Sequence, residues 1–222
     1  MEITFIKARD LPEAWFRCLR STLEKGREYV IDRGSWVGHK RKELDMAVIQ
    51  VERPSMRPLI PDVKPGIPPP TSMDYIEDYM SYLMTSLRAD NEQYTYGEDL
   101  EIQIPEVIKM YREQGHNTNQ GYMTVGKPQS IFLEDPPCLR GIDTRIRDGK
   151  LNFIMYFRSW DLWAGFPSNL GGIQLLKEFM ACEIGVEDGE IIVSSKGLHL
   201  YDYCWDIARA AAGIEGLQGN LV

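Results

Sequence analysis

The sequence predicts an α+β fold in a single domain, with helices packed on a mostly antiparallel or mixed sheet. A long hairpin is expected around Asp148-Gly149, because this dipeptide is typical of two-residue hairpin turns. Several further short apolar stretches are typical of strands, and amphipathic stretches between them have helical spacing. Since no repeat, low-complexity tract or interior linker divides residues 1–222, we expect one domain.

The N-terminal half is predicted to alternate strands and helices. Helical periodicity favours three helices, over Leu11–Lys25, Asp74–Leu87 and Ile102–Glu113. Apolar stretches predict three strands, at Ile3–Ile6, Leu44–Val51 and Gly121–Val125. Turns or loops are expected at Asp32–Ser35, at the proline-rich stretch Val63–Thr71 and at Tyr96-Gly97.

The C-terminal half is predicted to follow the hairpin with a loop over Asp161–Ser168. Asn169 stands where the N-cap of a buried helix is expected, because apolar residues follow it at helical spacing through Met180. A strand at Ile191–Ser195 and a helix over Leu200–Ala212 complete the expected fold.

The hairpin register predicts that a cysteine and an arginine meet at its open end. Pairing Arg147 with Lys150 puts apolar side chains on one face of both strands. Continued outward, this register sets Cys138 opposite Ser159 and Leu139 opposite Arg158, unless a β-bulge shifts it by one residue. A neighbouring cation lowers the pKa of a thiol, so Cys138 is a candidate nucleophile. An inert structural cysteine remains an equally open interpretation.

Composition argues against several functional classes. A net charge of −8 argues against a nucleic-acid-binding chain, although a few arginines can still hold a small anion. The four cysteines and three histidines match no metal-ligand spacing, so no metal is expected. The sequence shows no secretory leader and no apolar run of membrane-spanning length, which predicts a cytoplasmic protein that acts without a membrane.

Four motifs in order resemble those of the thymidylate synthase family. They are Pro136-Pro137-Cys138, Arg158-Ser159-x-Asp161, Gly165-Phe166-Pro167-Ser168-Asn169 and His199-Leu200-Tyr201. The resemblance implies a thymidylate-synthase-like fold and the reductive methylation of dUMP to dTMP. It also implies 5,10-methylenetetrahydrofolate, or a related reduced pterin, as co-substrate, and a homodimer formed by sheets stacked back to back. The pattern resembles that of a short, divergent member of the family, such as an archaeal one.

The resemblance also implies a role for each matching residue. Cys138 would add to carbon 6 of the pyrimidine, Arg158 would activate the thiol, and Asn169 would stabilise charge on the ring. The substrate would be bound by Arg158, Ser159, Asn169, His199 and Tyr201. Asp161 and Gly165 would contact the pterin. A less close match in the N-terminal half implies phosphate binding by Arg33 and catalytic roles for Glu77 and Tyr96.

Each of these residues taken alone also has a purely structural interpretation. Asn169 is typical of an N-cap, His199 of a satisfied core histidine and Arg158 of a solvated strand-end charge. The sequence also departs from the family motif after the nucleophile (Leu139), before Arg158 (Phe157) and at Thr118-Asn119-Gln120, where the family has an arginine pair. A pyrimidine-nucleotide hydroxymethylase and a catalytically silent nucleotide-binding protein of the same fold therefore stay open as alternatives.

Overall fold

Two β-sheets form the framework of the protein in a computed structural model that describes residues 1–34, 36–88 and 94–214. The larger sheet contains, in spatial order, Ile3–Ala8 (β1), Met46–Val51 (β4), Glu187–Ser195 (β9), Lys150–Phe157 (β7), Leu139–Arg147 (β6) and Tyr122–Thr124 (β5). The smaller sheet contains Arg27–Val30 (β2), Lys40–Leu44 (β3), Leu198–Tyr201 (β10) and Trp160–Asp161 (β8). Parallel and antiparallel pairs occur in both sheets, which confirms the predicted α+β class.

Helices cover one side of the larger sheet. They are Leu11–Lys25 (α1), Met73–Met84 (α2), Gly97–Leu100 (α3), Gln103–Gln114 (α4), Gly165–Ile184 (α5) and Trp205–Ala212 (α6). Helix α5 is the central one, because it packs against α1, α2, α4 and strands β7 and β9. Gly171 and Gly172 allow α2 to approach closely, since a Cβ at Gly171 would lie 2.6 Å from Cδ1 of Ile76. Buried side chains from both sheets and these helices form one continuous hydrophobic core.

The central hairpin has the predicted register over most of its length. Arg147 pairs with Lys150, Thr144 with Phe153 and Ile142 with Met155. The apolar face of this hairpin is buried and β7 packs against α5 of the same chain. That face is therefore not available for stacking against a second subunit.

Two predicted elements are corrected by the structure. The strand expected at Leu44–Val51 is two strands in different sheets, because the chain bends at Asp45 between β3 and β4. The helix expected over Leu200–Ala212 begins only at Trp205, since Leu198–Tyr201 pairs with β3 and β8. Ser35, which belongs to the turn predicted at 32–35, lies outside the described residues.

Helix α5 begins four residues earlier than its predicted N-cap. The Asp161 carboxylate accepts hydrogen bonds from the backbone N–H groups of Trp163, Ala164 and Gly165 at 3.0–3.3 Å, and so forms the turn that starts the helix. Asn169 consequently lies inside α5, and its prediction as an N-cap is wrong. None of the helices in the described ranges is both long enough and apolar enough to cross a membrane.

Candidate active site

A β-bulge brings Cys138 and Arg158 together at the open end of the hairpin. The register shifts between Leu139 and Gly141, so Leu139 pairs with Phe157. The backbone N–H of Arg158 then donates to the carbonyl oxygen of Cys138 at 2.8 Å. Cys138 therefore lies opposite Arg158, not opposite Ser159 as the uninterrupted register predicted. The bulge keeps the predicted proximity of the two side chains while changing the pairing by one residue.

A cleft of about 320 Å³ opens above this junction. Most of the residues that the motifs singled out line it, together with several that they did not. The lining residues are Arg33, Gly34, Arg41, Ile131, Glu134, Asp135, Pro136, Cys138, Arg158, Ser159, Asp161, His199 and Tyr201. The fold thus collects the thiol, three guanidinium groups and the His-x-Tyr strand in one concave site, which is the usual shape of a small-molecule site.

The Cys138 thiol is half-buried, and burial controls its acidity. Burial raises the pKa of Cys138 above its ordinary value, and the Arg158 guanidinium opposes this only in part. The sequence led us to expect a lowered pKa, so this expectation is corrected: desolvation of the thiolate outweighs the neighbouring positive charge. Among the charged groups that lower the pKa of Cys138, Arg158 nevertheless has the largest effect.

The Arg158 side chain is held by the chain segment that precedes the cysteine. Its Nη2 lies 2.7 Å from the Asp135 carboxylate and also contacts the carbonyl oxygen of Pro136. Its Nε donates to the carbonyl oxygens of Pro136 and Pro137 at 3.0 and 3.2 Å. These contacts fix the guanidinium beside Cys138, so the positive charge cannot swing away into solvent.

A buried tyrosine lies near the thiol but does not line the cleft. The Tyr96 hydroxyl accepts a hydrogen bond from the backbone N–H of Leu139 at 3.2 Å. Burial holds the pKa of Tyr96 well above its ordinary value, and the nearby Cys138 charge adds to this. Gly97 is required here, because a Cβ at this position would overlap the backbone of Thr85. The structure therefore brings Tyr96 next to the candidate nucleophile.

His199 and Tyr201 point from the buried strand β10 towards the same cleft. The imidazole Nδ1 of His199 lies 2.8 Å from the carbonyl oxygen of Gly197, while its Nε2 is buried without a hydrogen-bond partner among the described residues. A buried polar atom without a partner costs free energy, so Nε2 is suited to a ligand hydroxyl. Burial lowers the pKa of His199 to about 3, which keeps the imidazole neutral.

This depressed pKa predicts that acid weakens the fold through His199. Below pH 6.5 the unfolded chain binds a proton that the folded chain excludes, so the free energy of unfolding falls by about 1.4 kcal/mol per pH unit towards pH 3. The contribution is fully present above pH 6.5. We therefore expect His199→Asn to destabilise the protein less at pH 4.5 than at pH 7.5, by about 2–3 kcal/mol in urea unfolding. An equal effect at both pH values would contradict this.

A second cavity of about 570 Å³ adjoins the cleft at Asp161, which lines both. It contains Gly165 and Asn169, and its remaining lining residues are Pro69, Pro70, Thr71, Ser72, Tyr75, Ala164 and Ser168. The Asn169 Oδ1 accepts a hydrogen bond from Nε1 of Trp160 at 2.8 Å. This contact fixes which way the amide faces, so Asn169 can present a defined donor to a ligand.

Two predicted residues are less well placed. Arg33 lines the cleft but is exposed to solvent. Glu77 is exposed on α2 and does not belong to the lining of either cavity.

Two charged residues of the cleft were not predicted, Arg41 and Asp135. Arg41 enters the cleft because β3 pairs with β10, a pairing that leaves no signal in the local sequence. Asp135 directly precedes the Pro-Pro-Cys motif, so its position in the sequence already indicated a carboxylate close to Cys138.

Comparison with known proteins gives the family of the chain. The sequence model of the thymidylate synthase family matches residues 89–211, more than half of the 222-residue chain. A protein of Methanosarcina acetivorans, named "Putative thymidylate synthase", is 31% identical over 212 residues and 92% of each chain. The chain belongs to the thymidylate synthase family.

Two further relatives match this member of the thymidylate synthase family over different shares of its length. A Methanothermobacter thermautotrophicus protein with the same printed name is 24% identical over 89% of this chain and 93% of its own. The "Thymidylate synthase" of Listeria monocytogenes is 32% identical over 101 residues, which is 45% of this chain and 32% of the bacterial one. The resemblance drawn from the motifs is therefore confirmed, including its archaeal character.

Proposed function

We propose that this protein is a thymidylate synthase that methylates carbon 5 of dUMP through covalent catalysis by Cys138. The observation that supports the proposal most strongly is the single cleft that joins the Cys138 thiol to Arg158, Ser159, His199 and Tyr201. A cleft that combines a nucleophile, guanidinium groups and hydroxyl-binding groups suits a phosphorylated nucleoside.

In the proposed reaction the sulfur of Cys138 forms a bond to carbon 6 of the ring. The electrons of the 5,6 double bond move towards the carbonyl oxygen at position 4, which leaves carbon 5 able to attack a one-carbon donor. Asn169 would donate a hydrogen bond to the ring as charge develops there. Release of the methylated nucleotide would then require loss of the carbon-5 proton, cleavage of the bond between the one-carbon unit and the pterin nitrogen, reduction by the hydride of the pterin, and cleavage of the sulfur–carbon bond. Tyr96 lies beside Cys138 and is our candidate for helping to remove that proton.

The second cavity is the proposed site of the reduced pterin. Its volume admits a bicyclic ring, the exposed ring of Tyr75 provides a surface for stacking, and Asp161 provides a hydrogen-bond acceptor. When bound, 5,10-methylenetetrahydrofolate or a related pterin supplies the one-carbon unit and a hydride. The shared residue Asp161 joins this cavity to the nucleotide cleft, so carbon 5 and the donor could meet there.

Labelled substrate tests the proposed function. The purified protein is incubated with dUMP that carries tritium at carbon 5 and with several reduced pterins, and tritium release and product mass are measured. Release with a product carrying a methyl group is the expected result. A product heavier by one oxygen would identify a hydroxymethylase instead. Binding of dUMP without tritium release under any of these conditions would identify a silent nucleotide-binding protein.

We also propose a homodimer that forms through the uncovered face of the larger sheet. This face carries the exposed apolar side chains of Ile3, Phe5 and Ile154. The strands there pair Phe5 with Val48 and Ile154 with Ile192, and the polar residues Gln50 and Ser194 lie between these two apolar pairs. Exposed apolar residues gathered on one face are typical of protein interfaces.

Light scattering tests the proposed dimer. We expect a mass of about 51 kDa, twice the 25.5 kDa of the chain. Phe5→Glu places a charge at the most exposed apolar position of edge strand β1 on this face and is expected to shift the mass towards the monomer. Lys7→Glu, on the same face of β1 but at its charged end, serves as the matched control. A monomeric wild-type protein would contradict the proposal.

A further inference from the structure

Arg41 is a cleft arginine that the sequence motifs do not include. It lies on β3 directly opposite Tyr201 of β10. Its Nη2 donates to the Tyr201 hydroxyl at 3.0 Å, and its Cζ lies 5.1 Å from the centre of the Tyr201 ring. The side chain is half-buried, and its Nε is buried without a hydrogen-bond partner among the described residues. Arg41 is therefore oriented by the strand that carries Tyr201.

The charge of Arg41 is not balanced by an ion pair. Within the described ranges, no carboxylate lies within 4 Å of its guanidinium nitrogens. Glu43, two residues further along the strand, accepts instead from the Tyr29 hydroxyl at 2.8 Å. Burial of a cation without a counterion costs free energy, and such a group at a cleft is typical of a site for an anionic ligand. Arg41 thus differs from Arg158, which is paired with Asp135.

The other cations near the thiol are less suited to this role. Arg33 is exposed, and Arg158 already donates to the segment before Cys138. The Arg140 guanidinium packs over Gly126, where a Cβ would lie 3.3 Å from its Cζ, and Arg140 does not line the cleft. Among the described residues, Arg41 is consequently the half-buried cleft arginine that is oriented by Tyr201 and has no carboxylate partner.

We propose that Arg41 binds the phosphate group of the nucleotide, so that this subunit supplies a phosphate cation from its own β3 strand. The inference rests on the proposed function, because it assigns a ligand atom within the same cleft. The Tyr201 hydroxyl and ring hold the guanidinium in place before the ligand arrives, which reduces the entropy lost on binding. A guanidinium matches the oxygens of a phosphate in geometry as well as charge.

Comparing a nucleotide with its nucleoside separates phosphate binding from a structural role. Affinities for dUMP and deoxyuridine are measured by calorimetry for the wild type, Arg41→Gln and Arg41→Lys. Arg41→Gln is expected to weaken dUMP binding by about 30- to 100-fold and deoxyuridine binding by less than about 3-fold. Arg41→Lys keeps the charge and is expected to lose about 10-fold for dUMP alone. It also serves as the second variant if Arg41→Gln does not fold.

Arg140→Gln is the matched control, since it removes one positive charge from the same region outside the cleft lining. It is expected to change both affinities by less than about 3-fold. Equal losses for dUMP and deoxyuridine in Arg41→Gln would overturn the proposal, because Arg41 would then only position Tyr201. Unchanged dUMP affinity would overturn it as well.

Inorganic phosphate separates this inference from the proposed function. If the wild type binds phosphate in an Arg41-dependent manner but binds neither dUMP nor deoxyuridine, the anion site stands and the nucleotide function fails. If the wild type binds dUMP and Arg41→Gln binds it equally well, the function stands and the inference fails. If phosphate and dUMP both fail to bind to the wild type, both are overturned.

Discussion

Cys138→Ser is expected to abolish the release of tritium from carbon-5-labelled dUMP, with a loss of at least about a thousand-fold. A serine hydroxyl is a far weaker nucleophile than a thiolate at neutral pH, so the serine variant is not expected to add to carbon 6. The affinity for dUMP is expected to stay within a few-fold of wild type, because the arginines and β10 are unchanged. This combination of results would show that Cys138 is needed for the chemical step and not for the binding of dUMP.

Cys182→Ser is the matched control for this substitution. Cys182 is an exposed free cysteine on α5, outside both cavities, so its loss is expected to leave tritium release unchanged. Undiminished release by Cys138→Ser would remove Cys138 from the mechanism. The same result would return this residue to the structural interpretation that the sequence alone left open.

Arg158→Gln is expected to reduce tritium release by about 100- to 1,000-fold. Arg158 is the largest favourable charge on the Cys138 thiolate, so its removal leaves burial unopposed and raises the pKa of Cys138 further. The rate of Cys138 alkylation by iodoacetamide reports the thiolate fraction. Its pH profile is expected to move to higher pH, measured in the Cys182→Ser background to avoid labelling the exposed thiol.

Two comparisons distinguish the charge of Arg158 from its contacts with residues 135–137. Arg158→Lys keeps the charge but loses the fork of donors, so its alkylation profile is expected to lie between wild type and Arg158→Gln. Arg140→Gln removes the weakest of the favourable charges on Cys138 and is expected to shift the profile least. An alkylation profile of Arg158→Gln that matches the wild type would exclude electrostatic activation by this residue.

Features set by local sequence were predictable. Helix α1 has its predicted bounds, because Asp10 accepts from the N–H of Glu13 at the start and Gly26 follows the end. The Asp148-Gly149 turn fixed the hairpin register, since Asp148 has a φ of 51° and Gly149 a φ of 72°, both in the left-handed region. Such interactions act over a few residues and are visible in the sequence.

Features that depend on distant pairing were not predictable. The strand β3 joins β10 across more than 150 residues of chain, and this pairing alone brings Arg41 to the cleft. The bulge at Leu139/Gly141 changed the pairing of Cys138, and the Asp161 carboxylate moved the start of α5. The raised pKa of the Cys138 thiol follows from packing of the whole cleft, which no motif encodes.

The positions of the motif residues were therefore predicted better than their electrostatics. Order and spacing of the motifs identified Cys138, Arg158, Ser159, His199 and Tyr201, and the structure places all of them in one cleft. The motif match around Glu77 was shorter, and its side chain lies exposed outside both cavities. A catalytic role for Glu77 stays a prediction that its position does not support.

A crystal structure of the protein with dUMP shows whether Cys138 acts on the pyrimidine ring. We expect the nucleotide to lie in the cleft of Cys138, with the sulfur in contact with carbon 6 and the phosphate between Arg33, Arg41 and Arg158. We also expect the edge of the uracil ring to lie at Asn169. A nucleotide bound at another surface, or a Cys138 sulfur turned away from carbon 6 in the occupied cleft, would exclude covalent catalysis by Cys138.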